Sequence, residues 1–384
     1  MKYFEFTTVN PCYCRFVAAV RRISILAAAP RQLFRMCFRV VRFLPMRPIS
    51  LILPALLLAA TALAASQKSL DIYSIDVEGG QATLIVSPSG QSMLVDTGFP
   101  GFQGRDADRI AAVAKNVGLK QIDYVLITHY HRDHVGGVPQ LADRIKIGTF
   151  IDHGPAKLDD PDVARGDYNS YMGVLPKAKH LVVKPGDKIP LKGVDIKVLS
   201  GAGEHITTPL PGAGQPNPLC ASEPAAVPDL GENARSIGML FTYGKFRFLD
   251  LGDLTKKKEL ELACPENLLG MVDVYLVTHH GLDLSNAKAL VHAVHPRVAI
   301  MNNGAHKGGR PAAWQIVHDS PGLEDLWQLH YALDAGKDHN VPEQFIANLE
   351  EKNDAGNYIK VTANTDGTFT VLNTRNNFEK SYKK

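Results

Sequence analysis

Residues 128–137 read THYHRDHVGG and place four metal-binding side chains within six positions, His129, His131, Asp133 and His134. Neutral imidazole and carboxylate groups are the usual ligands of zinc and related first-row ions. His129 and His131 are two residues apart in an extended turn, so both rings can face one ion. Asp133 and His134 come directly after and can reach a second ion. The segment therefore predicts a metal site and requires further ligands elsewhere in the chain.

Strands predicted from apolar runs end at the polar residues that could supply those ligands. The cluster itself follows IDYVLITH, a short and nearly continuous apolar run that is typical of a buried strand. Asp253 ends the run FLDLGD, where it is a candidate ligand or the N-cap of the next helix. His279 and His280 end VDVYLVTHHG. We favour His279 as the ligand and His280 as a supporting or substrate-contacting residue.

The elements around these residues predict an α/β protein. LDIYSIDV, ATLIVS and SMLVDTG alternate with Gly-containing turns and predict an antiparallel meander. Residues 105–119 have helical spacing, 236–253 predict a hairpin around Tyr243-Gly244, and 358–373 predict another at a DG turn. Residues 153–190 and 201–235, rich in Pro, Gly and Asp, predict long loops near the site. Because each half shows strands, a helix and a strand with a polar end, we expect a four-layer αββα sandwich of two mixed β-sheets with flanking helices.

The first 65 residues differ in composition from the rest and predict export. Residues 49–65 read ISLILPALLLAATALAA, follow Arg47 and end in an A-x-A site, as a signal peptide does. An uncleaved anchor is the alternative. About 45 residues precede this apolar run, so we expect a start at Met46. We thus expect two domains, an N-terminal extension with signal peptide at 1–65 and an α/β domain at 66–384. We also expect a periplasmic or extracellular location, with membrane contact only through the signal peptide.

The charge of the exported part bears on its partners. Residues 1–64 hold nine Lys and Arg and one acidic residue, so of the 42 basic and 39 acidic residues in the chain 33 and 38 remain, a net charge of −5. This balance does not favour nucleic acid as a partner and directs attention to a small anionic or ester substrate. Two cysteines remain, Cys220 and Cys264, and they are candidates for one disulfide.

The motif HxHxDH after an apolar strand resembles the signature of the metallo-β-lactamase superfamily. The stretch IYSIDVEGGQATLIVSPSGQSMLVDTG, FLDLGD and VTHHG are similar to the hydrolase domain of ComEC-type bacterial DNA-uptake proteins. The resemblance covers about residues 70–375 and implies the αββα fold. It implies that Asp253 bridges two metals and that Asp96 supports the metal-binding loop. Most of the superfamily also supplies a third histidine to the first metal, whereas the DNA-uptake type, like this sequence, lacks an obvious one, in which case the first metal keeps an extra water or binds weakly. His205 is our first candidate for that histidine; His153 and His180 are weaker.

The resemblance implies a dinuclear metal-dependent hydrolase that uses a metal-bridging hydroxide oriented by Asp133. Zinc is the first expectation for the two ions and manganese the second. We expect a phosphoester or phosphodiester substrate, since Lys and Arg beside Gly-rich backbone suit an anion. The alternatives are hydrolysis of a lactone or amide on the same metals, and a secreted metal-binding module without activity. Candidate substrate-binding residues are Ser285, Asn286, Asn303, Lys307 and Arg310.

Overall fold

The computed structural model describes residues 68–225, 227–351 and 355–384, all within the unit Ser66–Lys384. The predicted signal peptide, the Met46 start and the rest of 1–65 lie outside the described residues. Within the described ranges, no helix combines the length and the apolar character that crossing a bilayer requires. All of these ranges fall within 66–384, the segment predicted to be the hydrolase domain.

Strands dominate the described part of the chain. In chain order they are β1 (Leu70–Ser74), β2 (Thr83–Val86), β3 (Ser92–Val95), β4 (Gln121–Leu126), β5 (Lys146–Asp152), β6 (Lys179–Val182), β7 (Lys188–Ile189), β8 (Asp195–Gly201), β9 (Glu204–His205), β10 (Gln215–Pro216), β11 (Gly238–Tyr243), β12 (Phe246–Asp250), β13 (Glu266–Asn267), β14 (Val274–Leu276), β15 (Val298–Met301), β16 (Asp325–His330), β17 (Ile346–Asn348), β18 (Ile359–Ala363), β19 (Phe369–Asn373) and β20 (Phe378–Tyr382). The helices are α1 (Arg105–Asn116), α2 (Arg132–Val135), α3 (Val138–Ala142), α4 (Arg165–Val174), α5 (Lys256–Ala263), α6 (Lys288–Val294) and α7 (Pro311–His318).

The first sheet joins both ends of the described chain in the order β20-β19-β18-β1-β2-β3-β4-β5-β6. From β20 to β3 the neighbours are antiparallel, which includes the predicted meander and the predicted DG hairpin. From β3 to β6 they are parallel. The helix predicted over 105–119 is α1, which ends three residues earlier than predicted.

The second sheet has the order β17-β16-β15-β14-β12-β11-β8-β7, with β9 beside β8. Strands β12 and β14 to β17 are parallel, and β12, β11, β8 and β7 are antiparallel. The predicted hairpin at Tyr243-Gly244 is formed by β11 and β12, and Gly244 has the φ of +60° that such a tight connection requires. A separate pair is formed by β10 and β13.

Three apolar clusters separate the layers. The central cluster lies between the sheets and contains Ile72 and Met93 of the first sheet and Phe241 and Trp327 of the second. The second cluster packs α1, α3 and α4 on the outer face of the first sheet, and the third packs α5, α6 and α7 on the outer face of the second. Helix, sheet, sheet and helix therefore follow one another, which confirms the predicted αββα sandwich.

The loop prediction for 153–190 was wrong in part, because α4 and β6 lie within it. Tyr171 of α4 is buried, and its hydroxyl donates a 2.7 Å hydrogen bond to Asp152 at the end of β5. The helix gives no clear sequence signal because RGDYNSYMGV contains two glycines and few strong helix formers. Packing against the first sheet stabilises a helix that intrinsic propensity alone does not favour.

Candidate metal centre

The residues predicted to bind metal lie where parallel strands of both sheets end. Asp96 follows β3 and the HxHxDH motif follows β4 in the first sheet, while Asp253 follows β12 and the His279-His280 pair follows β14 in the second. The carboxyl ends of neighbouring parallel strands open on one edge of a sheet, which is where side chains can converge. The two packed sheets thus bring together residues that are more than 100 positions apart.

Four of these side chains form a buried quartet: Asp133, His134, Asp253 and His280. The Nε2 atom of His134 lies 3.1 Å from Asp253 Oδ2, 3.3 Å from Asp133 Oδ2 and 3.3 Å from His280 Nε2. His280 Nε2 lies 3.3 Å from Asp133 Oδ2 and 3.4 Å from Asp253 Oδ2. Each of the four residues is at most 7% exposed.

These spacings fit a divalent metal ion. Metal–ligand bonds of about 2.0–2.2 Å in a tetrahedral site place the ligand atoms roughly 3.3–3.6 Å apart. Five of the six distances within the quartet are between 3.1 and 3.4 Å. Two carboxylates and two imidazoles are also a donor set that zinc or manganese accepts. The donor atoms of the quartet are therefore already spaced nearly as the ligands of one bound metal ion would be.

Asp96 contacts His134 on the side of the ring that faces away from the other quartet members. Its Oδ2 atom lies 2.7 Å from His134 Nδ1, and Thr128 donates to both carboxylate oxygens through its backbone N–H and its hydroxyl. A carboxylate on Nδ1 fixes the tautomer that leaves Nε2 free to bind an ion. Asp96 itself has a φ of +61°, an unfavourable conformation for a residue with a side chain, and this conformation turns the carboxylate toward His134.

The two adjacent histidines both approach Asp253. His280 belongs to the quartet, which differs from our prediction that His279 would be the ligand of the pair. His279 Nε2 lies 3.4 Å from the same Asp253 oxygen, and its Nδ1 is 3.0 Å from Ser285 Oγ. Both have left-handed φ values, +56° and +55°. In an extended strand, the rings of two successive residues would point to opposite faces. The left-handed conformation of both residues instead turns the two rings toward one carboxylate.

The protonation of the cluster favours metal binding. Burial lowers the pKa of His129 to well below its ordinary value and lowers the pKa of His279 to about 4, so both rings are neutral. Burial opposes the charged form of Asp253, yet the nearby His134, His280 and His279 hold its pKa well below the usual range. Burial also opposes protonation of His134, but Asp253, Asp133 and Asp96 raise its pKa. A metal ion would replace that proton on binding.

The three other candidate histidines have partners outside the quartet. His205 Nδ1 lies 3.3 Å from Glu261, and the residue lines a separate cavity beside Pro185 and Pro209. His153 Nε2 is hydrogen-bonded to Glu232 at 2.9 Å, and His180 Nε2 to Asp152 at 2.8 Å. The expectation that His205 would complete the first metal position is therefore not supported by its contacts.

Three predicted substrate-binding residues are instead internal supports. Ser285, Asn286 and Asn303 are fully buried. Ser285 contacts the His279 ring, and Asn286 donates to the carbonyls of Thr278 and Leu282 around the histidine turn. Asn303 donates to the Gly304 and His330 carbonyls. The loops after β14 and β15 pack tightly and keep these three residues away from solvent. A substrate would therefore not touch them directly.

The two basic candidates lie in different surroundings. Lys307 is paired with Asp133 through a short contact between Nζ and Oδ2, and its side chain is 34% exposed. It is therefore a cation at the edge of the quartet that solvent can reach. Arg310 is exposed and precedes the first residue of α7.

The glycine pair after the motif is needed for close approach rather than for an unusual turn. The φ values of Gly136 and Gly137 are −65° and −75°, which any residue can adopt. A Cβ atom on Gly137 would lie 2.1 Å from the Thr97 carbonyl oxygen, and one on Gly136 would lie 2.3 Å from Pro100 Cδ. The segment after β3 packs against the metal-binding motif with no room for a side chain.

Cys220 and Cys264 form a disulfide. It joins the segment Pro218–Ser222 to the end of α5. The chain near this disulfide also borders a cavity of about 480 Å³, which is lined by His131, Asp160, Lys256 and Leu284 among others. Its size is that of a small-molecule site. The cavity therefore opens at the side of the motif that carries His131.

Buried Glu259 on α5 makes stability depend on pH near the site. Its carboxylate accepts hydrogen bonds from the Asn286 and Ala287 backbone N–H groups, at 3.0 and 2.7 Å, and burial raises its pKa to about 7. The folded chain therefore keeps a proton that the unfolded chain has already lost. As pH rises from roughly 5.5 to 7, we expect the wild type to lose about 1.5 kcal/mol of unfolding free energy relative to Glu259→Gln. Urea unfolding at several pH values measures this, and a constant difference would contradict it.

Comparison with known proteins finds a superfamily match over part of the chain. Residues 75–216 match the metallo-beta-lactamase superfamily. The chain is 31% identical over 118 residues to the hydroxyacylglutathione hydrolase of Klebsiella pneumoniae, covering 31% of this chain and 37% of that protein. It is 22% identical over 249 residues to ComE operon protein 3 of Bacillus subtilis, covering 61% of this chain and 28% of that protein. The chain thus spans well under half the length of these two relatives.

A solved structure, the metallo-beta-lactamase fold protein YhfI from Bacillus subtilis, matches 67% of this chain and 95% of its own with a TM-score of 0.41 and 12% identity. The chain carries a metallo-β-lactamase superfamily hydrolase domain with a candidate metal site. The resemblance to this superfamily and to the ComEC type is confirmed.

Asp160, which was not among the residues predicted from sequence, also lies at the site. Its Oδ2 atom is 3.8 Å from His131 Nε2. Asp160 stands in the loop sequence KLDDPD, 27 positions after Asp133 of the motif, where neither spacing nor a strand end marks it as a ligand.

Proposed function

We propose that this protein is an exported hydrolase that cleaves a small phosphoester or phosphodiester with two divalent metal ions, zinc first and manganese second. The observation that supports a phosphoester substrate is the position of Lys307. Its ammonium group contacts the buried Asp133 and is partly open to solvent. A cation at that place suits an anionic group of the substrate. The metal site supports hydrolysis in general, whereas Lys307 distinguishes an anionic substrate from a neutral one.

The metals, when bound, would supply Lewis acidity and activate water near neutral pH. The chain's own residues have separate tasks. Asp133, His134, His280 and Asp253 would hold one ion, Asp96 fixes the His134 tautomer, and Lys307 would face the charge of the substrate. The Asp133 carboxylate would also orient the attacking water. His279 keeps a neutral ring beside Asp253.

The cavity beside His131 supports a small substrate. Its volume of about 480 Å³ suits a molecule of a few dozen atoms rather than a polymer groove. Lys256 and Lys257 line it and would face the part of the substrate that is not cleaved. The acidic balance of the chain after residue 64 likewise disfavours a nucleic-acid partner.

A second candidate is hydrolysis of a lactone, amide or related carbonyl ester on the same metals. The cavity wall favours it, because it carries five carboxylate residues, Asp160, Asp162, Glu223, Asp229 and Asp283, against two lysines. A relative named as a hydrolase of hydroxyacylglutathione also supports it. Assays of bis(p-nitrophenyl) phosphate beside nitrocefin, a lactone and an acylglutathione separate the two. Hydrolysis only of the carbonyl substrates would overturn the phosphoester proposal.

Replacing Lys307 tests the anionic substrate directly. We expect Lys307→Met to lower kcat/KM for bis(p-nitrophenyl) phosphate by about tenfold to a hundredfold, because one charge-assisted hydrogen bond is worth roughly 1.5–3 kcal/mol. Metal content, measured by inductively coupled plasma mass spectrometry, should stay at the wild-type value. Lys188→Met, in an exposed pair with Asp195 on the second sheet, is the matched control and should leave activity unchanged. Equal activity of Lys307→Met and wild type would remove the basis for an anionic substrate.

Export is supported by two independent features. The apolar segment 49–65 ends in an A-x-A site, and Cys220 and Cys264 are joined as disulfides are in oxidising compartments. N-terminal sequencing of the protein recovered from the periplasm or the medium tests this, and a mature chain that begins near Ser66 is expected. Peptides from 1–45 in that mature protein would contradict both the cleavage and the Met46 start.

A further inference from the structure

Beside the quartet lies a second group of atoms with unused binding capacity. His129 Nε2 and His131 Nε2 are buried and make no hydrogen bond to any described residue, and the same holds for Asp253 Oδ1. His129 is fully buried and Asp253 is 2% exposed. The His129 and His131 rings are 4.7 Å apart at their centroids, and His129 Nε2 is 3.9 Å from Asp253 Oδ2. Buried polar atoms without partners are costly, and a cation bound between these atoms would satisfy them.

Asp160 faces His131 of this group from a loop of the first half, and Asp162 lies close to both. Its Oδ2 atom lies 3.8 Å from His131 Nε2, and its side chain is 7% exposed. The carboxylate accepts hydrogen bonds from the backbone N–H groups of Glu232, at 2.5 Å, and Asp162, at 2.9 Å. Two backbone donors fix the carboxylate without neutralising it by a basic side chain. A metal ligand needs this kind of orientation.

We propose that Asp160 is the protein ligand that completes the first metal position, together with His129, His131 and Asp253, in the place where a third histidine was expected. This inference rests on the metal-dependent hydrolase proposed above. The group then holds two imidazoles and two carboxylates, the same donor set as the quartet. The two positions share Asp253, whose Oδ2 faces the quartet and whose Oδ1 has no other partner among the described residues.

The assignment links the metal centre to the cavity. Asp160 and His131 both line the cavity of about 480 Å³, so the first ion would stand at its wall and reach a substrate directly. The loop that carries Asp160 is anchored by Glu232, which accepts from the Lys157 backbone N–H at 2.8 Å and from His153. The His153–Glu232 pair thus positions the Asp160 loop, which gives His153 a role other than the metal ligation considered from sequence. An oxygen ligand in place of a histidine also makes this position more favourable for manganese.

The test is metal binding by the full chain, without reference to turnover. The wild type, dialysed against Zn²⁺ or Mn²⁺ and analysed by inductively coupled plasma mass spectrometry, is expected to hold two ions. Asp160→Asn keeps the size and the hydrogen-bonding oxygen but loses the charge. We expect it to hold one ion tightly and to bind the second about a hundredfold more weakly. The ion retained in the quartet reports that the variant is folded. Asp159→Asn changes the exposed neighbour of Asp160 and should hold two ions as the wild type does.

A cysteine at the same position gives a spectroscopic readout. A thiolate bound to Co²⁺ produces an intense charge-transfer band in the near ultraviolet, so Asp160→Cys loaded with cobalt should show this band and Asp159→Cys should not. Two tightly bound ions in Asp160→Asn, or two cobalt ions in Asp160→Cys without the band, would overturn the assignment. A wild type that binds two ions but cleaves no phosphoester would instead contradict the proposed function and leave the assignment of Asp160 standing.

Discussion

Asp253→Asn is expected to lower kcat/KM for hydrolysis by at least about a thousandfold, which corresponds to a loss of roughly 4 kcal/mol of transition-state stabilisation. Asp253 Oδ2 lies within 3.9 Å of the Nε2 atoms of four histidines, and its Oδ1 is buried without a hydrogen bond to any described residue. One carboxylate therefore serves both candidate metal positions. An amide is a weaker ligand and would leave the charges of two ions uncompensated.

The measurement is kcat/KM on bis(p-nitrophenyl) phosphate together with metal content by mass spectrometry. Both are expected to fall in Asp253→Asn, from two ions to one or none. Asp195→Asn, on an exposed part of β8, changes the same residue type away from the site and should match the wild type. If Asp253→Asn kept two ions and wild-type turnover, Asp253 would not be a ligand shared by the two metal positions.

The fold was largely predictable because its signals are local. Alternation of apolar residues marked the meander of β1 to β3, and a DG turn marked the hairpin of β18 and β19. The helix α4 and the strands β16, β17 and β20 were missed. Their sequences lack strong periodicity, and they are stabilised by packing, as when Trp327 of β16 stacks on Phe378 and donates to Tyr382. Such contacts join positions about 50 residues apart and leave no local trace.

The candidate site was predictable where a ligand follows shortly after a buried strand. Asp133, His134 and Asp253 satisfy that condition, and the structure brings them together with His280. The order of His279 and His280 could not be read from sequence, since it depends on two left-handed residues in succession. His205 was chosen because it is a histidine after a strand, yet Asp160 lies beside His131. The sequence argument looked for a histidine beside His131, whereas the loop that packs there brings the carboxylate of Asp160.

The role of the Gly136-Gly137 pair also depends on tertiary packing that the sequence does not reveal. A Gly-Gly pair in a sequence suggests backbone freedom, but Gly136 and Gly137 have ordinary helical angles. The reason for their small size is a tertiary contact: Gly137 N–H donates to the Gly98 carbonyl at 3.1 Å, and Thr97 donates to the His134 carbonyl through both its N–H and its hydroxyl at 2.8 Å. The close approach ties the strand end that carries Asp96 to the helix that carries His134.

Gly137→Ala is therefore expected to destabilise the protein by about 3 kcal/mol, at the upper end of the cost of overpacking. The added Cβ would lie 2.1 Å from the Thr97 carbonyl oxygen, which is backbone and cannot rotate away. The two segments must separate, and Asp96 then moves relative to His134, so metal affinity should fall along with stability. Urea unfolding and zinc titration measure the two effects.

Gly173→Ala provides the contrast, because Gly173 lies within α4 and a Cβ there would meet no atom within 4 Å. Alanine is the better helix former, so this variant should be more stable than the wild type by about 0.5–1 kcal/mol, with unchanged zinc affinity. Opposite signs for the same substitution would show that contact with Thr97, and not the glycine's backbone freedom, constrains position 137. If Gly137→Ala were as stable as the wild type and bound zinc equally well, the strand end and the motif would not be coupled through this contact.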